Sequence, residues 1–364
     1  MRIDEVFHQD PFPFYDLCRE QGPVRVAMPD GSAPWLLTRY DDVVSALNHP
    51  GLSSAIAPMI GMMNHTDPPD HTRLRKLVVR AFSARRVDAL RPRIQQIADE
   101  LLDDWTGAPV VDVIDTFAVP LPITVICELL GVPAEDRSLL RELSAGLTRP
   151  NDMIESYGRL ITYLNGFVAG KQPGDDLATE LIQAQRDERL SVDELIGMLI
   201  TLIVAGHETT VQLIGNGTLA LLRNPERLAA LKADPDLVPA AVDELLRFDG
   251  PLSPGMMRIA VDDVVIGGTE IAEGDLVLVS IAAANRDPAR YENPDVLLFD
   301  RGPNLAFGHG IHHCLGARLA RLEGEIAFAT LLRRYPDLAL VTDEVTWRVS
   351  FTRGLTGLLV RPRP

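Results

Sequence analysis

The sequence predicts a mainly α-helical protein with small inserted β-sheets, built as one domain over residues 1–364. Helical periodicity dominates residues 40–248, and a further helix is predicted over 316–335. Alternating apolar residues with glycine turns, which indicate strands, are confined to 24–38, 258–280 and 338–360. The chain shows no internal repeat and no linker that would divide it.

The first element with a clear signal is a β-hairpin. Segments 24–27 and 35–38 flank the turn Pro29-Asp30-Gly31. Pro50-Gly51 and Pro173-Gly174 interrupt the helical pattern that follows. This hairpin therefore precedes a long helical region.

One helix in that region breaks the local rules. Ser191 and Glu194 form a capping-box pattern, so we expect the helix to start there. Its apolar face then meets Gly206, Glu208 and Thr209. A mid-helix glycine costs about 1 kcal/mol relative to alanine, and buried polar side chains are costly unless they are satisfied. Violations of this kind usually mark a functional site.

Composition and charge narrow the class of protein. Hydrophobic residues make up 46% and charged residues 24%, which is typical of a globular protein. The formal net charge of −16 argues against nucleic-acid binding. Apolar stretches are interrupted short of the roughly 20 residues that a membrane span requires, and the first eleven residues carry no signal for export or anchoring. We therefore expect a cytoplasmic protein without a membrane segment.

The cysteine pattern fits the same compartment. Cys18, Cys127 and Cys314 are an odd and scattered set, which favours a reducing environment over a disulfide framework. Cys18 and Cys127 lie in apolar helical patterns and are predicted to be core residues.

Cys314 stands in a different context, the segment Phe307–Ala317, FGHGIHHCLGA. Gly308 and Gly310 allow the backbone to approach a flat ligand closely. A cysteine at the start of a helix faces free N–H groups and the positive end of the dipole, which favour a thiolate. Such a thiolate can ligate a haem iron. A buried cysteine in a glycine-rich turn is the alternative.

Zinc-binding and dinucleotide-binding motifs are both incomplete, either around Cys314 or in the central helix. The histidines around Cys314 cannot easily converge on one tetrahedral zinc ion, and His313 replaces the last glycine of a dinucleotide fingerprint. His207-Glu208 begins an H-E-x-x-H pattern, but position 211 is valine. The sequence thus disfavours a zinc enzyme and a nicotinamide-binding loop.

The segment Phe307–Gly316 resembles the cysteine signature of the bacterial soluble cytochromes P450, F-G-x-G-x-H-x-C-L-G, at every fixed position. The resemblance covers essentially the whole chain. It implies a triangular helical prism that encloses haem b, with Cys314 as the metal ligand. It also implies that Phe307 shields the sulfur and that Gly308 and Gly316 admit the ring.

Further motifs follow the family order. The resemblance implies that Ala205 and Gly206 form an oxygen-binding groove and that Glu208 and Thr209 are the catalytic acid–alcohol pair that delivers protons. Glu244 and Arg247 match E-x-x-R, which implies a buried structural pair. A surface pair worth about 0.3 kcal/mol is the alternative for two such residues alone.

The resemblance also implies four cofactor-binding side chains for the haem propionates, namely His71, Arg75, Arg258 and His312. His71 and Arg75 are four residues apart and share one helical face. Arg301 lies in a segment shorter than the family pattern, so its membership in the Glu244–Arg247 network stays open. A nearby group of cations is interpreted either as a solvated face or as a docking patch for an acidic ferredoxin: Arg73, Lys76, Arg318 and Arg321.

The resemblance places a substrate pocket over the haem. Its predicted walls include Met62, Leu202, Ala205, Pro254, Met256 and Phe351. Methionines concentrate in two of the wall segments, where Met59, Met63 and Met257 accompany Met62 and Met256. They are interpreted as an adaptable lining, with ordinary core packing as the alternative.

The predicted function is hydroxylation or epoxidation of a small to mid-sized apolar molecule with O2, in bacterial secondary metabolism. Electrons from NAD(P)H are expected through a separate ferredoxin and ferredoxin reductase, and the protein is expected to be a monomer. Oxidative coupling and desaturation are alternatives on the same fold. A haem-based sensor or carrier is the alternative from another class, but it does not need Glu208 and Thr209 inside a helix.

Overall fold

The computed structural model describes residues 1–56, 62–149 and 151–363. Within these residues the chain is mainly helical. The helices are α1 (Glu5–Gln9), α2 (Phe12–Gln21), α3 (Tyr40–Asn48), α4 (Asp70–Val78), α5 (Ala84–Ala89), α6 (Arg91–Asp103), α7 (Pro120–Leu130), α8 (Arg137–Leu147), α9 (Met153–Gly170), α10 (Leu177–Arg186), α11 (Val192–Leu222), α12 (Pro225–Ala233), α13 (Val238–Asp249), α14 (Ile281–Ala284) and α15 (Ala317–Arg334). Short 3₁₀ turns and one π-helical turn, Ile114–Ala118, connect some of them.

The strands are short. They are β1 (Val24–Arg25), β2 (Trp35–Leu37), β3 (Leu52–Ser53), β4 (Val111–Asp112), β5 (Met256–Ala260), β6 (Val264–Ile266), β7 (Thr269–Ile271), β8 (Leu276–Val279), β9 (Ala339–Leu340) and β10 (Leu359–Arg361). One sheet has the order β1-β2-β8-β5-β3, in which only the β2–β8 pair is parallel. The others are β4-β10-β9 and the hairpin β6-β7. The mixed sheet places Met256, Met257 and Arg258 on β5, beside the helical part.

Helix α11 runs through the centre of the molecule. It packs against α7, α8, α9, α10, α12, α13 and α15. Ser191 caps it with the predicted box, since its side chain accepts from the Glu194 N–H and the Glu194 carboxylate accepts from the Ser191 N–H. By length and composition α11 could cross a membrane, but 72% of its apolar window is buried inside the protein. That burial identifies a core helix.

Most sequence expectations for the fold are confirmed. The hairpin at 24–38, the capping box and the helix after Cys314 are all present. Cys18 and Cys127 are buried, as predicted. The sequence predicts strand over 338–360, but regular strands occupy only the two ends of this tail, and the segment between them contains an isolated bridge between Trp347 and Leu355. Helix α2 contains Cys18, whose helical context was predicted, whereas α1 had no predicted counterpart.

Candidate active site

Cys314 lies in a tight loop just before α15. Its backbone N–H donates to the Phe307 carbonyl at 2.8 Å, which closes the loop. Gly308 and Gly310 adopt φ of +72° and +71°, a region that favours glycine. A Cβ on Gly310 would also lie 2.5 Å from Asn48 Oδ1, so the loop could not pack against α3 with a larger residue. The glycines thus fix the position of Cys314.

The Cys314 side chain is exposed, yet it opens into an interior cavity and not onto the outer surface. Burial raises the pKa of its thiol, and the Gly316 N–H and the guanidinium groups of Arg75 and Arg321 act in the opposite direction. A bound metal ion would deprotonate such a thiol outright. The helix-start effect predicted from the sequence is therefore present but does not by itself yield a thiolate.

The cavity has a volume of about 410 Å³. It brings together most of the side chains predicted for haem and substrate. Those that line it are His71, Arg75, Leu202, Ala205, Gly206, Thr209, Met256, Arg258, Phe307, Gly308, His312, Cys314 and Gly316. Residues separated by more than 200 positions in sequence thus share one enclosed space.

One edge of the cavity carries unpaired nitrogen donors. Arg258 is only 7% exposed, and in the described part of the chain its guanidinium bonds only the Met257 carbonyl, at 2.9 Å, and meets no carboxylate. His71 Nδ1 is buried without a partner among the described residues, and its ring lies 4.3 Å from that of His312. Arg75 donates to the His313 carbonyl at 2.7 Å.

These donors fit a carboxylate-bearing cofactor. Buried guanidinium groups are normally paired with an anion, because an isolated charge is costly to desolvate. Burial also lowers the pKa of His312 to about 4, with further lowering by His71 and Arg258. A ligand with two carboxylates at this edge would satisfy the donors, and haem carries two such propionates.

The α11 side of the cavity is only partly as predicted. Thr209 lines the cavity, and its hydroxyl donates to the Ala205 carbonyl at 2.8 Å within the helix. A Cβ on Gly206 would approach Ile126 Cδ1 to 3.1 Å, so this glycine also permits close packing of α7. The helix itself is continuous through this point.

Glu208 does not line the cavity. It is 3% exposed and lies among groups on the far side of α11. Its carboxylate is 3.8 Å from Arg348 Nη2 and 3.7 Å from His207 Nδ1, and it accepts from Gln212 Nε2 at 3.5 Å. Thr209 and Thr210 both line the cavity, whereas the Glu208 side chain lies on the opposite side of α11, beside Arg348.

Three of the predicted wall residues lie elsewhere, which corrects the expected pocket. Phe351 is 46% exposed, because its loop is held on Thr148 at the surface end of α8. Pro254 stands behind the wall, where its carbonyl accepts from the buried Tyr15 hydroxyl at 3.1 Å. Met62 packs in the hydrophobic core beside the cavity, and its neighbour Met63 lines it instead. Met59 lies outside the described residues.

The Glu244–Arg247 pair is fully buried. Arg247 Nε and Nη2 donate to the Glu244 carboxylate at 2.6 and 2.8 Å, and Nη1 donates to the Asn285 and Pro294 carbonyls. The surface-pair alternative is therefore wrong. Arg301 joins the network at 3.3 Å from Glu244 Oε1, which answers the question left open by the shortened segment.

Sequence reasoning missed several cavity residues. Thr201 and Glu323 line the cavity without having been predicted to do so, whereas Asn64 stands at the end of the wall segment that the resemblance implied over 55–64. Glu323 is 1% exposed, its Oε2 has no partner among the described residues, and burial raises its pKa well above the usual value. A glutamate on the apolar face of the helix after Cys314 was a readable signal.

The cations of the suggested docking patch are mostly neutralised. Arg73 pairs with Asp70 and Glu194. Arg318 binds Asp88 at 2.7 Å, and Arg321 binds Asp243 at 2.7 Å. Of these four cations, the exposed Lys76 alone has no ion pair with another described residue.

Comparison with known proteins now identifies the class. A family model described as cytochrome P450 matches residues 166–345. The chain is 46% identical over 397 residues to cytochrome P450 107B1 of Saccharopolyspora erythraea, covering 100% of this chain and 97% of that protein. It is 41% identical over 392 residues to 6-deoxyerythronolide B hydroxylase of the same organism, covering 98% and 96%.

Solved structures agree. The tirandamycin C-bound P450 monooxygenase TamI matches with a TM-score of 0.94 and 41% identity, and each chain is covered completely. Fold and cavity therefore define a haem-dependent monooxygenase, an enzyme that uses dioxygen to insert one oxygen atom into an organic molecule. The chain belongs to the cytochrome P450 family.

Proposed function

We propose that Cys314 provides the thiolate that ligates the haem iron, while Thr209 and Glu208 manage proton delivery to the reaction. The observation that carries this proposal is the single cavity onto which Cys314 and Thr209 both open. When bound, the haem supplies the redox chemistry that activates dioxygen. The residues of the chain bind it, orient the substrate and move protons.

Arg75, Arg258, His71 and His312 are proposed to bind the two propionates. An arginine offers a planar fork that matches a carboxylate, and charge-assisted bonds of this kind are stronger than neutral ones. Among the described residues, the Arg258 guanidinium has no carboxylate in ion-pair range and His71 Nδ1 has no hydrogen-bond partner, which supports this assignment. Their burial keeps competing water away from the charged edge.

Thr209 is proposed as the last proton donor within the protein. Its hydroxyl donates to the Ala205 carbonyl at 2.8 Å, so the O–H bond must rotate about Cβ–Oγ1 before the proton can be donated into the cavity. Glu208 is proposed to resupply it. Since the Glu208 carboxyl lies behind the helix, it must move or use a bridging water to reach Thr209.

The substrate is proposed to be an apolar, mid-sized natural product with one hydrogen-bonding group. The wall is mostly apolar, with Leu202, Met63 and Met256 among its residues. The Thr201 hydroxyl contacts Asn64 Oδ1 at 3.2 Å and the Gly197 carbonyl at 2.8 Å. One proton cannot serve both, so the Asn64 amide keeps hydrogen-bonding capacity for a ligand carbonyl or hydroxyl. The similarity to 6-deoxyerythronolide B hydroxylase is compatible with this class.

The electrons are proposed to come from NAD(P)H through a ferredoxin and its reductase, and the enzyme is proposed to act as a cytoplasmic monomer with one haem domain over residues 1–364. Docking of an acidic ferredoxin would rest on Lys76 and on exchange of the pairs that Arg318 and Arg321 make with Asp88 and Asp243. Exchange of existing pairs makes association strongly dependent on ionic strength.

The test of the proton-delivery role is the coupling of electron use to product. With a surrogate ferredoxin and reductase, ¹⁸O₂ should place one label in the product of the wild-type enzyme. Thr209→Ala should divert most NAD(P)H consumption into hydrogen peroxide, because the hydroxyl donor is lost. Thr209→Ser retains a hydroxyl and should stay largely coupled. Equal coupling in all three proteins would show that Thr209 has no role, and absence of any oxidation would favour a sensor or carrier.

The substrate class has a separate test. Cyclododecanone and cyclododecane share one ring and differ by a carbonyl, and their binding can be followed by the spin shift of the haem absorption. The wild-type enzyme should prefer the ketone about three- to tenfold, as expected for one hydrogen bond. Asn64→Leu should remove that preference. A preference that survives in Asn64→Leu would rule out this anchor.

A further inference from the structure

Behind α11 lies a buried polar cluster that the cavity does not contain. Glu208 faces Arg348, a residue of the C-terminal segment, at 3.8 Å. The distance is within ion-pair range but too long for a hydrogen bond. Arg348 Nε and Nη2 are both buried, and neither has a hydrogen-bond partner among the described residues. A guanidinium with unused donors beside a buried carboxylate is a costly arrangement unless it has a function.

The backbone around Arg348 forms a hairpin that places this residue beside Glu208. The Arg348 N–H donates to the Gly354 carbonyl at 2.8 Å, and the neighbouring Trp347 and Leu355 form a β-bridge. A side chain at Gly354 would overlap Gln212 Oε1, so this glycine lets the hairpin lie directly on α11. We refer to residues 347–355 as the C-terminal hairpin.

The tip of the C-terminal hairpin is anchored at both sides of the cluster. Ser350 Oγ and the Phe351 N–H both donate to the Thr148 carbonyl, at 2.8 and 3.0 Å. On the other side Asn216 Nδ2 donates to the Arg353 carbonyl at 3.0 Å. The backbone of the hairpin therefore holds Arg348, although its Nε and Nη2 make no hydrogen bond to any described residue.

Glu208 is under opposing influences. Burial raises the pKa of its carboxyl, and Arg348 is the largest of the charges that lower it. The groups that face it from the surrounding elements are Arg348 of the hairpin, Arg141 of α8, Arg149 after α8, and His207 and Gln212 of α11. Burial lowers the pKa of His207 to about 3, so His207 is neutral and contributes no charge near pH 7.

We propose that Arg348 is a positioning residue for Glu208: it draws the carboxyl to the far side of α11 without a hydrogen bond that would lock it there. A carboxyl attracted but not locked can turn back toward Thr209, take part in proton delivery and return. This inference rests on the proposed role of Glu208. It assigns to the C-terminal hairpin a part in the chemistry of a cavity that the hairpin does not line.

The test uses the haem-loaded enzyme and two readouts. The first is the infrared C=O stretch of a protonated carboxyl, assigned to Glu208 by its absence in Glu208→Gln and titrated with pH. The second is the pH profile of coupling. An opposite charge at this distance typically lowers the pKa of a carboxyl by 1–3 units. Arg348→Gln should therefore shift the Glu208 titration and the acidic limb of coupling upward by about 1 pH unit.

Two variants control this result. Arg348→Lys keeps the charge and should lie closer to the wild-type titration. Arg361→Gln removes a charge from strand β10, outside the group that faces Glu208, and should leave the titration unchanged. Should Arg348→Gln fail to load haem, Arg348→Met keeps the aliphatic stem and gives the same measurement.

The outcomes separate the two ideas. If Glu208→Gln stays coupled with a wild-type pH profile, the proposed role of Glu208 fails, whatever Arg348 does to the infrared band. If Glu208→Gln uncouples but Arg348→Gln titrates as the wild type does, the inference about Arg348 is overturned. If Arg348→Gln shifts the pH profile of coupling upward, and if the same substitution causes no shift in an enzyme that also carries Glu208→Gln, both ideas are supported.

Discussion

The two sides of the cavity are built in opposite ways. On the Cys314 side the supporting carboxylate is saturated: Glu244 accepts from Arg247, from Arg301 and from the Leu298 N–H. On the α11 side Glu208 has one long hydrogen bond, and the Arg348 guanidinium lies 3.8 Å away, with Nε and Nη2 bonding nothing among the described residues. A fully satisfied buried network is rigid, whereas a partly satisfied one holds its groups less firmly. The structure thus fixes the proposed metal ligand and leaves the proposed proton-delivery carboxyl adjustable.

The largest effect is expected from replacing Cys314, the proposed metal ligand on the rigid side of the cavity. Cys314→Ala should abolish the strongly red-shifted Soret band of the reduced carbon monoxide complex, because no other thiol lines the described part of the cavity. Cys127→Ala is the matched control, since it removes a buried thiol of the core and should keep the band. A thiolate-type band in Cys314→Ala would overturn the assignment.

The saturated side makes a stability prediction. Glu244→Gln leaves buried guanidinium groups without a counter-charge and should lower the free energy of unfolding by about 3–5 kcal/mol. Arg301→Gln should cost less, about 1–3 kcal/mol, because Arg247 still occupies the carboxylate. Urea unfolding of the haem-loaded proteins measures both. If Glu244→Gln lowers the free energy of unfolding by less than about 1 kcal/mol, the buried Glu244–Arg247 pair does not contribute to stability as predicted.

On the α11 side, His207 should make the free energy of unfolding depend on pH. Its folded pKa is about 3 against an ordinary value of 6.5, so between these values the unfolded state binds a proton that the folded state does not. The free energy of unfolding therefore falls as pH decreases through that window, by at most about 1.4 kcal/mol per pH unit from this residue. His207→Gln should flatten the dependence between pH 6 and pH 4. An unchanged slope would show that His207 is protonated in the folded protein.

Sequence and structure agree where the determinants are local. The Cys314 loop, the capping box of α11 and the Glu244–Arg247 spacing are each contained within a dozen residues, so motif and helical geometry were enough to predict them. Arg301 was harder because its segment departs from the family pattern, and its role depends on a carboxylate 57 residues away. Arg348 had no sequence signal at all. Its position is set by the C-terminal hairpin crossing α11, and such a long-range crossing cannot be derived from periodicity.

The pocket shows the same limit at its walls. The family resemblance implied all of the wall residues, and Leu202 and Ala205 on α11 do line the cavity. Phe351 and Pro254 stand in loops, whose path depends on long-range hydrogen bonds to Thr148 and Tyr15, and neither residue lines it. Glu208 was paired with Thr209 because the family resemblance implied an acid–alcohol pair. The structure places Thr209 at the cavity and the Glu208 carboxylate on the other side of α11.

The smallest effects are expected on ligand affinity, where Met256, which lines the cavity, can be compared with Phe351, which does not. Met256→Ala removes an apolar side chain that lines the cavity and should weaken the binding of 4-phenylimidazole about fivefold, equal to about 1 kcal/mol. Phe351→Ala removes an exposed ring while the backbone bond from its N–H to Thr148 remains, so the dissociation constant should change less than twofold. Spectral titration of the haem-loaded variants gives both values. A larger effect from Phe351→Ala than from Met256→Ala would mean that the C-terminal hairpin closes over the bound ligand, which would extend its influence from Glu208 to the substrate.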